Sequence, residues 1–270
     1  MRPEERAARI KELLSQERYD FSDLVDIMTI LRLPGGCVWD AAQTHESIRD
    51  NMIEETYEVV EAIDNKDSVL LREELGDALL QVVFHARIEE EAGGFNIDDV
   101  VSDIAEKLVH RHPHVFGSVI ATTPESALQN WEAIKVEEKK RETLVSRLEA
   151  VPPQLPALMR ASKVAKKTEF WYGEATSEEA IRLVSEALLS LDTSSEERLE
   201  ETFGELLFAV VSLSRKLSLS AETALTKATN RRIETIRRAE LLAESVPLES
   251  MTREERAALR ARLNAMDENG

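Results

Sequence analysis

The sequence predicts an all-α protein. Apolar residues recur at spacings of three and four with Glu, Lys and Arg between them, and the 270-residue chain holds only nine Gly and eight Pro. Strand-like runs are scarce, since apolar stretches such as LLQVVF continue the period of the helices around them. With 43% hydrophobic residues the chain can bury a real core, as one large domain or two of ordinary size.

Turn-forming segments set the limits of the helices in chain order. The first is LPGG at 33–36, followed by AIDNKDS at 62–68, EAGGFN at 91–96, RHPHVFG at 111–117 and ATTPES at 121–126. At 151–156, VPPQLP places three prolines in six residues, which interrupts any helix and marks a domain boundary, giving domains 1–150 and 151–270. A last break falls at SVP, 245–247, and MTREERAALRARLNAM after it reads as a separate amphipathic helix.

Composition narrows the function classes. No run approaches the roughly 18 apolar residues of a membrane span, and MRPEERAARIKELL lacks the apolar stretch of a signal peptide, so a cytoplasmic protein without a membrane partner is expected. The single cysteine, Cys37, rules out an intrachain disulfide and a thiolate zinc cluster, leaving oxygen as the ligand for any metal. A net charge of -18 argues against nucleic acid as a partner. A small phosphorylated ligand stays open, because a divalent cation can bridge carboxylates to phosphates.

The stretch MIEETYEVVEAIDNKDSVLLREELGDALLQVVF, residues 52–84, concentrates this chemistry. It reads as two helices joined by a turn around Asn65 to Asp67, and in an antiparallel hairpin residues equidistant from the turn lie at one height. The pairs 55/77 and 58/74 are both centred on residue 66. Glu55 and Glu58 are three apart, as are Glu74 and Asp77, so each pair projects from one helical face and the four carboxylates can converge. Such a group repels itself unless something positive sits within it, and Mg2+, or Mn2+ in its place, suits carboxylate oxygens and bridges to phosphates. The competing reading is a solvated acidic face with Lys and Arg partners. Gly76 adds weight to the first: exposed in a helix it costs about 1 kcal/mol relative to Ala, whereas it suits a place where helices pack closely.

The run Glu54, Glu55, Glu58 followed by Glu74 and Asp77 resembles the signature of the MazG family of nucleoside triphosphate pyrophosphohydrolases. CVWDAAQTHESIRDNMIEETYEVVEAI, LREELGDALLQVVFHARIEEE, EKLVHRHPHVFG and NWEAIKVEEKK are also similar to family segments, densely over 20–140 and more weakly to about 240. The resemblance implies tandem all-α repeats with a four-helix-bundle type core formed on dimerisation. It implies Mg2+-dependent hydrolysis of nucleoside triphosphates to monophosphate and pyrophosphate. It also makes Glu55, Glu58, Glu74 and Asp77 the metal ligands. Glu54 is left to orient or deprotonate the water that attacks the α-phosphorus.

Phosphates also need cationic donors, and Lys107, Arg111 and Lys135 follow the hairpin, with the resemblance implying substrate contact for Arg111 and Lys135. Where the family often has two arginines before HPHVF, this chain has His110 and Arg111. The cluster His110, His112 and His114 reads as a turn or substrate-lining loop against a transition-metal site, because Pro113 bars a regular helix and no cysteine accompanies it. Trp39 and Trp131 offer faces for base stacking, with core packing the commoner fate of such residues. VWDAAQTH resembles the family's CPWDREQTH with Val38 in place of proline, and Trp39, Asp40, Gln43 and Thr44 are expected in the nucleotide pocket. The alternative is that this segment caps the helix that follows.

Residues 181–191, 200–217 and 227–238 repeat the order of the first half, as an internal duplication would. Matching GELLFAVV to GDALLQVV sets Glu205 at the place of Asp77 and Thr202 at that of Glu74. The pairs 187/205 and 190/202 are both centred on residue 196, so Ala187 and Ser190 stand for Glu55 and Glu58. One ligand of four survives, and the second half is expected not to bind metal there, serving instead as a dimer surface or a regulatory nucleotide site. Its Lys227, Asn230, Arg231 and Arg232 read as phosphate donors or, more simply, as a solvent face. Three functional readings follow: a general NTP pyrophosphohydrolase acting through the first repeat as a homodimer, a narrow-specificity house-cleaning nucleotide hydrolase, and a non-catalytic helical nucleotide sensor or scaffold.

Overall fold

The computed structural model describes residues 2–138, 143–172, 175–243 and 246–267. Every regular element among them is helical, and the chain divides into two compact units, Met1–Glu138 and Lys139–Gly270. No helix among the described residues is long and apolar enough to cross a membrane.

The first unit runs α1 (Pro3–Ser15), α2 (Phe21–Arg32), α3 (Val38–Ala42), α4 (Arg49–Asn65), α5 (Ser68–Glu91), α6 (Ile97–Arg111), α7 (Pro113–Phe116) and α8 (Pro124–Glu138). Local chemistry explains the helix ends. Asp20 caps α2 by accepting from the Asp23 backbone N–H at 3.0 Å, while Asp23 accepts from the Asp20 N–H at 2.7 Å, so two orphan donors are satisfied reciprocally. Asn96 and Asp99 do the same for α6. Gly93, at φ +80°, supplies the left-handed turn between α5 and α6 that a side chain would resist. Pro113 stands at the first position of the single turn α7, where its missing N–H costs nothing, so the proline separates that turn from α6.

α4 and α5 form an antiparallel hairpin, and α2 and α6 pack on α5. The core lies between α2, the turn before α4, and α5: Met28, Ile48, Val83 and Phe84 are each 3% exposed or less, with Leu24, Val25, Leu80 and Ile88 around them. α1 is fastened to α2 by charge. Arg9 bonds Asp23 at 2.5 Å and Asp26 at 2.6 Å, while Arg6 donates to the carbonyls of Pro34 and Gly35 in the LPGG turn.

The second unit runs α9 (Leu144–Glu149), α10 (Ala157–Tyr172), α11 (Ser177–Leu189), α12 (Glu196–Lys216), α13 (Ala221–Leu242), a 3-10 turn (Leu248–Ser250) and α14 (Arg253–Asp267). α11 and α12 pair as α4 and α5 do, with α10 and α13 packed on α12. The expected boundary at residue 150 falls inside this unit, because α9 packs on α10 across the prolines. α14 docks on α13 through Ala239, Leu259 and Leu263. Ser245, in the expected break at 245–247, lies outside the described residues.

The close packing expected at Gly76 is not found within the described residues of this chain. Gly76 is exposed, and a Cβ there would meet nothing within 4 Å, so no helix among the described residues approaches it closely. The same holds for Gly204 at the matching place in α12. Gly76 shares a stripe of α5 with Leu75 and Leu79, both exposed, and the close partner inferred for it is absent from its own hairpin.

Phe84, 3% exposed, anchors the first core and carries the Arg32 guanidinium 5.2 Å from its ring centroid. Phe84→Ala is expected to cost about 3–5 kcal/mol, read as a lower midpoint in urea unfolding. A loss below about 1 kcal/mol would mean that the core is not organised around this ring.

Candidate active site

The connection between α4 and α5 is two residues long. Lys66 ends α4 in the left-handed conformation at φ 56°, and the Asp67 carboxylate accepts from the N–H groups of Val69 and Leu70, both at 3.0 Å, to start α5. A turn this short leaves no slack in the register, so the pairing of the two helices is centred on Lys66.

That register brings carboxylates together. Oxygens of Glu55, Glu58 and Glu74 lie within 4.8 Å of one another, with Glu74 only 9% exposed and the other two half-buried. Asp77 lies outside this closest trio, but its charge acts on both Glu55 and Glu74. Burial pushes the Glu55 carboxyl above its ordinary value, and the charges of Asp77 and Glu58 push it further; burial does the same to Glu74, with Glu58 and Asp77 adding to it. Among the described residues no Lys or Arg closes on these acids, unlike Asp23, Glu91 or Glu138 elsewhere in the unit. A half-buried, cation-free set of hard oxygen donors suits a divalent metal ion. Glu54 stands apart, exposed on α4 and outside the trio.

The cationic residues form a second group on α6 and α8. Arg111 donates to Glu138 through Nε at 3.2 Å and through a terminal nitrogen at 2.7 Å, and its guanidinium lies 5.6 Å from the centre of the Trp131 ring. The Lys135 ammonium is 4.7 Å from the same ring centre. The Arg111 guanidinium holds the Glu138 carboxyl below its usual range, and His110 and Lys107 add smaller effects. Trp131 is thus a platform for two cations rather than a bare stacking face. His112 turns its Nδ1 to the Leu108 carbonyl at 2.6 Å, and no three-ligand group forms around the histidines among the described residues.

The segment before α4 braces the start of that helix. Trp39 is 59% exposed on α3. Gln43 donates to the Trp39 carbonyl at 2.9 Å and accepts from Ser47 Oγ at 2.8 Å, while Thr44 and Ser47 exchange bonds with each other's N–H, so Gln43 and Thr44 brace the turn into α4. Asp40 contributes its carbonyl, which accepts from Arg32 at 2.5 Å.

Sequence reasoning missed the residues that hold this segment in place. Arg32, its side chain 5% exposed, reaches the carbonyls of Asp40 and Gln43 and pairs with Glu91 at 2.9 Å, tying the loop to the end of α5. His45 stacks on His85 with their Nδ1 atoms 2.7 Å apart, and its Nε2 lies 3.0 Å from Glu89. One proton fits between the two Nδ1 atoms. With Glu89 accepting from Nε2 of His45, a neutral pair requires His85 to donate. Burial, then the neighbouring His45, lowers the His85 pKa, which favours that neutral form. The spacings His85/Glu89 and Arg87/Glu91 were visible as helical neighbours, but their partners in α2 and the loop were not.

Comparison with known proteins follows the same part of the chain. Residues 43–116 match the MazG nucleotide pyrophosphohydrolase domain. A Thermotoga maritima protein named nucleoside triphosphate pyrophosphohydrolase/pyrophosphatase MazG is 42% identical over 240 residues, covering 86% of this chain and 92% of its own. The Escherichia coli K12 nucleoside triphosphate pyrophosphohydrolase is 42% identical over 76% of this chain and 81% of its own. The uncharacterized protein YabN of Bacillus subtilis is 41% identical over 77% of this chain and 44% of its own.

The electrostatics of the carboxylate group can be tested without any substrate. Glu55 and Glu74 bind protons more readily in the folded than in the unfolded chain, so they cost stability above their raised pKa values and less as pH falls through them. In chelator near pH 8, Glu58→Gln is therefore expected to melt above the wild type, with the gap narrowing toward about pH 5. Added Mg2+ is expected to raise the wild-type Tm more than that of the variant. A gap that widens toward acid would mean that the three acids do not repel one another.

Proposed function

From the premise that the chain belongs to the MazG family of nucleotide pyrophosphohydrolases, we propose that it hydrolyses nucleoside triphosphates to monophosphate and pyrophosphate at the carboxylate group of the first unit. The observation that carries the site is the trio Glu55, Glu58 and Glu74 within 4.8 Å, with Asp77 acting on it and no cation among the described residues inside it. These four residues hold a divalent cation, Mg2+ or Mn2+. When bound, that ion neutralises phosphate charge and lowers the pKa of a water molecule.

The rest of the work falls to the chain. Glu54, exposed beside Glu55, takes the proton of the water that attacks the α-phosphorus. Lys107, Arg111 and Lys135 receive the charge that builds on the departing pyrophosphate, Arg111 exchanging the Glu138 carboxylate for a phosphate oxygen. Trp39 covers the base from the solvent side, on the loop of Asp40, Gln43 and Thr44 that Arg32 fixes to α5. The second unit keeps the hairpin without the ligands: Ser190 and Thr202 turn their hydroxyls to the carbonyls of Glu186 and Arg198, and Glu205 alone remains acidic. It is a degenerate repeat, and the protein acts on soluble nucleotides in the cytoplasm.

The exposed apolar faces favour a homodimer. Ile53, Tyr57 and Val60 on α4 and Leu75 and Leu79 on α5 are all 40% exposed or more, with Gly76 open between the last two. A second copy completing a four-helix arrangement covers them and brings a helix close to Gly76. Light scattering is expected to give twice the chain mass at micromolar concentration, and Ile53→Asp is expected to return the monomer. A wild-type monomer at that concentration would sink the dimer.

Pyrophosphate release from a set of NTPs and dNTPs with Mg2+ tests the site. Glu58→Ala is expected to lose activity by at least about 100-fold, equivalent to roughly 2.7 kcal/mol of barrier, while Glu205→Ala stays near the wild type. An active Glu58→Ala protein would remove the carboxylate hairpin from the chemistry. Comparing rates for individual bases separates a general hydrolase from a narrow one.

A further inference from the structure

The second unit contains a cavity of about 560 Å3 between α10, α11 and α12, within the range of small-molecule sites. Its origin can be read from the duplication. Where α5 has Gln81 and Phe84, the matched positions of α12 are Ala209 and Ser212; where the first hairpin has Ile48 and Glu55, the second has Ala180 and Ala187. Four large side chains have become small ones in a hairpin that otherwise keeps its pairing. The volume that Ile48 and Phe84 fill with core in the first unit is open in the second.

The lining divides into three zones. At one end Arg215 and Lys216 share a single carboxylate, Glu169, with Arg215 at 3.2 Å and Lys216 in direct contact, and Arg215 also donates to the Ser162 carbonyl. Among the described residues these two cations meet one carboxylate, which leaves room for a second anion. The middle is apolar: Phe208 and the alanines line it, and the hydroxyls of Thr168 and Ser212 are spent on the carbonyls of Val164 and Phe208, both at 3.0 Å. At the other end stands Glu205, which closes no ion pair among the described residues. Ten residues of helix separate Glu205 from Arg215, roughly 15 Å along the axis.

We propose that this cavity binds a nucleoside monophosphate without metal. The phosphate supplies the second anion that Arg215 and Lys216 lack, the base lies against the Phe208 ring, and an amino or hydroxyl group of the ligand donates to Glu205. A free phosphate would satisfy one end only, and a nucleoside would leave the cations unmatched. The choice of a nucleotide among phosphate monoesters of this shape rests on the activity proposed above, since the ligand is that reaction's product class.

Calorimetric titration of the full chain with AMP, GMP, CMP and UMP in turn, in EDTA, tests the site while the first unit is denied its metal. At least one nucleotide is expected to saturate at one per chain, with the matching nucleoside and inorganic phosphate each binding at least about 10-fold more weakly. Ser212→Phe, which restores the residue found at the matched position of α5, is expected to abolish binding and leave pyrophosphate release unchanged; Lys216→Gln is expected to weaken it about 10-fold or more. Circular dichroism melts of both variants establish that each is folded. The proposal falls if none of the four saturates, or if saturation is the same in both folded variants. Binding without triphosphate hydrolysis would keep this site and remove the proposed activity; hydrolysis without binding would do the reverse.

Discussion

The register of α4 against α5 is the constraint on which the rest of the first unit depends. A two-residue connection, Lys66 in the left-handed conformation and Asp67 capping the next helix, permits one alignment. In that alignment Glu55, Glu58 and Glu74 meet at 4.8 Å, and the same alignment sets His45 beside His85 and Glu89 further along the hairpin. A one-residue slip would rotate each helix face by about 100° relative to its partner and disperse both groups. Burial and acidic neighbours push the Glu55 and Glu74 carboxyls above their ordinary values, so these two groups oppose this packing. The apolar core of Met28, Ile48, Val83 and Phe84 is what holds them together.

Around that core the polar contacts are arranged so that loops inherit the rigidity of helices. Arg32 is the centre of this arrangement. It leaves α2, lies against Phe84, pairs with Glu91 and donates from one terminal nitrogen to the loop carbonyls of Asp40 and Gln43. A buried guanidinium is costly unless its donors are matched, and here the carboxylate and both carbonyls match them. The Trp39 segment therefore stands at a defined place on α5 although it has only one short helix of its own.

The second unit shows the same pairing without the crowded acids. Ala187 on α11 and Ser190 just past its end stand where the first hairpin has Glu55 and Glu58, Thr202 and a lone Glu205 stand on α12, and the crowding of acids is gone. The midpoint of this pairing, Glu196, is the first residue of α12 rather than the turn, and the Asp192 N–H donates to Thr202 at 3.2 Å, so a longer connection folds back along the helix. Relief from one constraint also loosens the packing: small residues at the matched core positions leave an open volume where the first unit has Ile48 and Phe84.

The sequence by itself determined the helical class, several of the breaks between helices and the pairing of 55 with 77 and 58 with 74, because helical period and turn chemistry are local properties of the chain; the breaks at 16–20, 43–48, 190–195 and 217–220 carried too weak a turn signal to be read. The midpoint at residue 66 needed only a count. Tertiary structure decided what local rules cannot reach. It put Asp77 outside the closest trio, turned Trp131 into a seat for Arg111 and Lys135, and gave Arg111 to Glu138. It also left Gly76 open on α5, where close helix packing was expected, with no helix near it among the described residues. The Arg32 anchor and the His45–His85–Glu89 contact join residues 40 or more apart, or a side chain to a backbone carbonyl, and neither leaves a periodic trace. Spacing shows which residues share a face; only packing shows what that face meets.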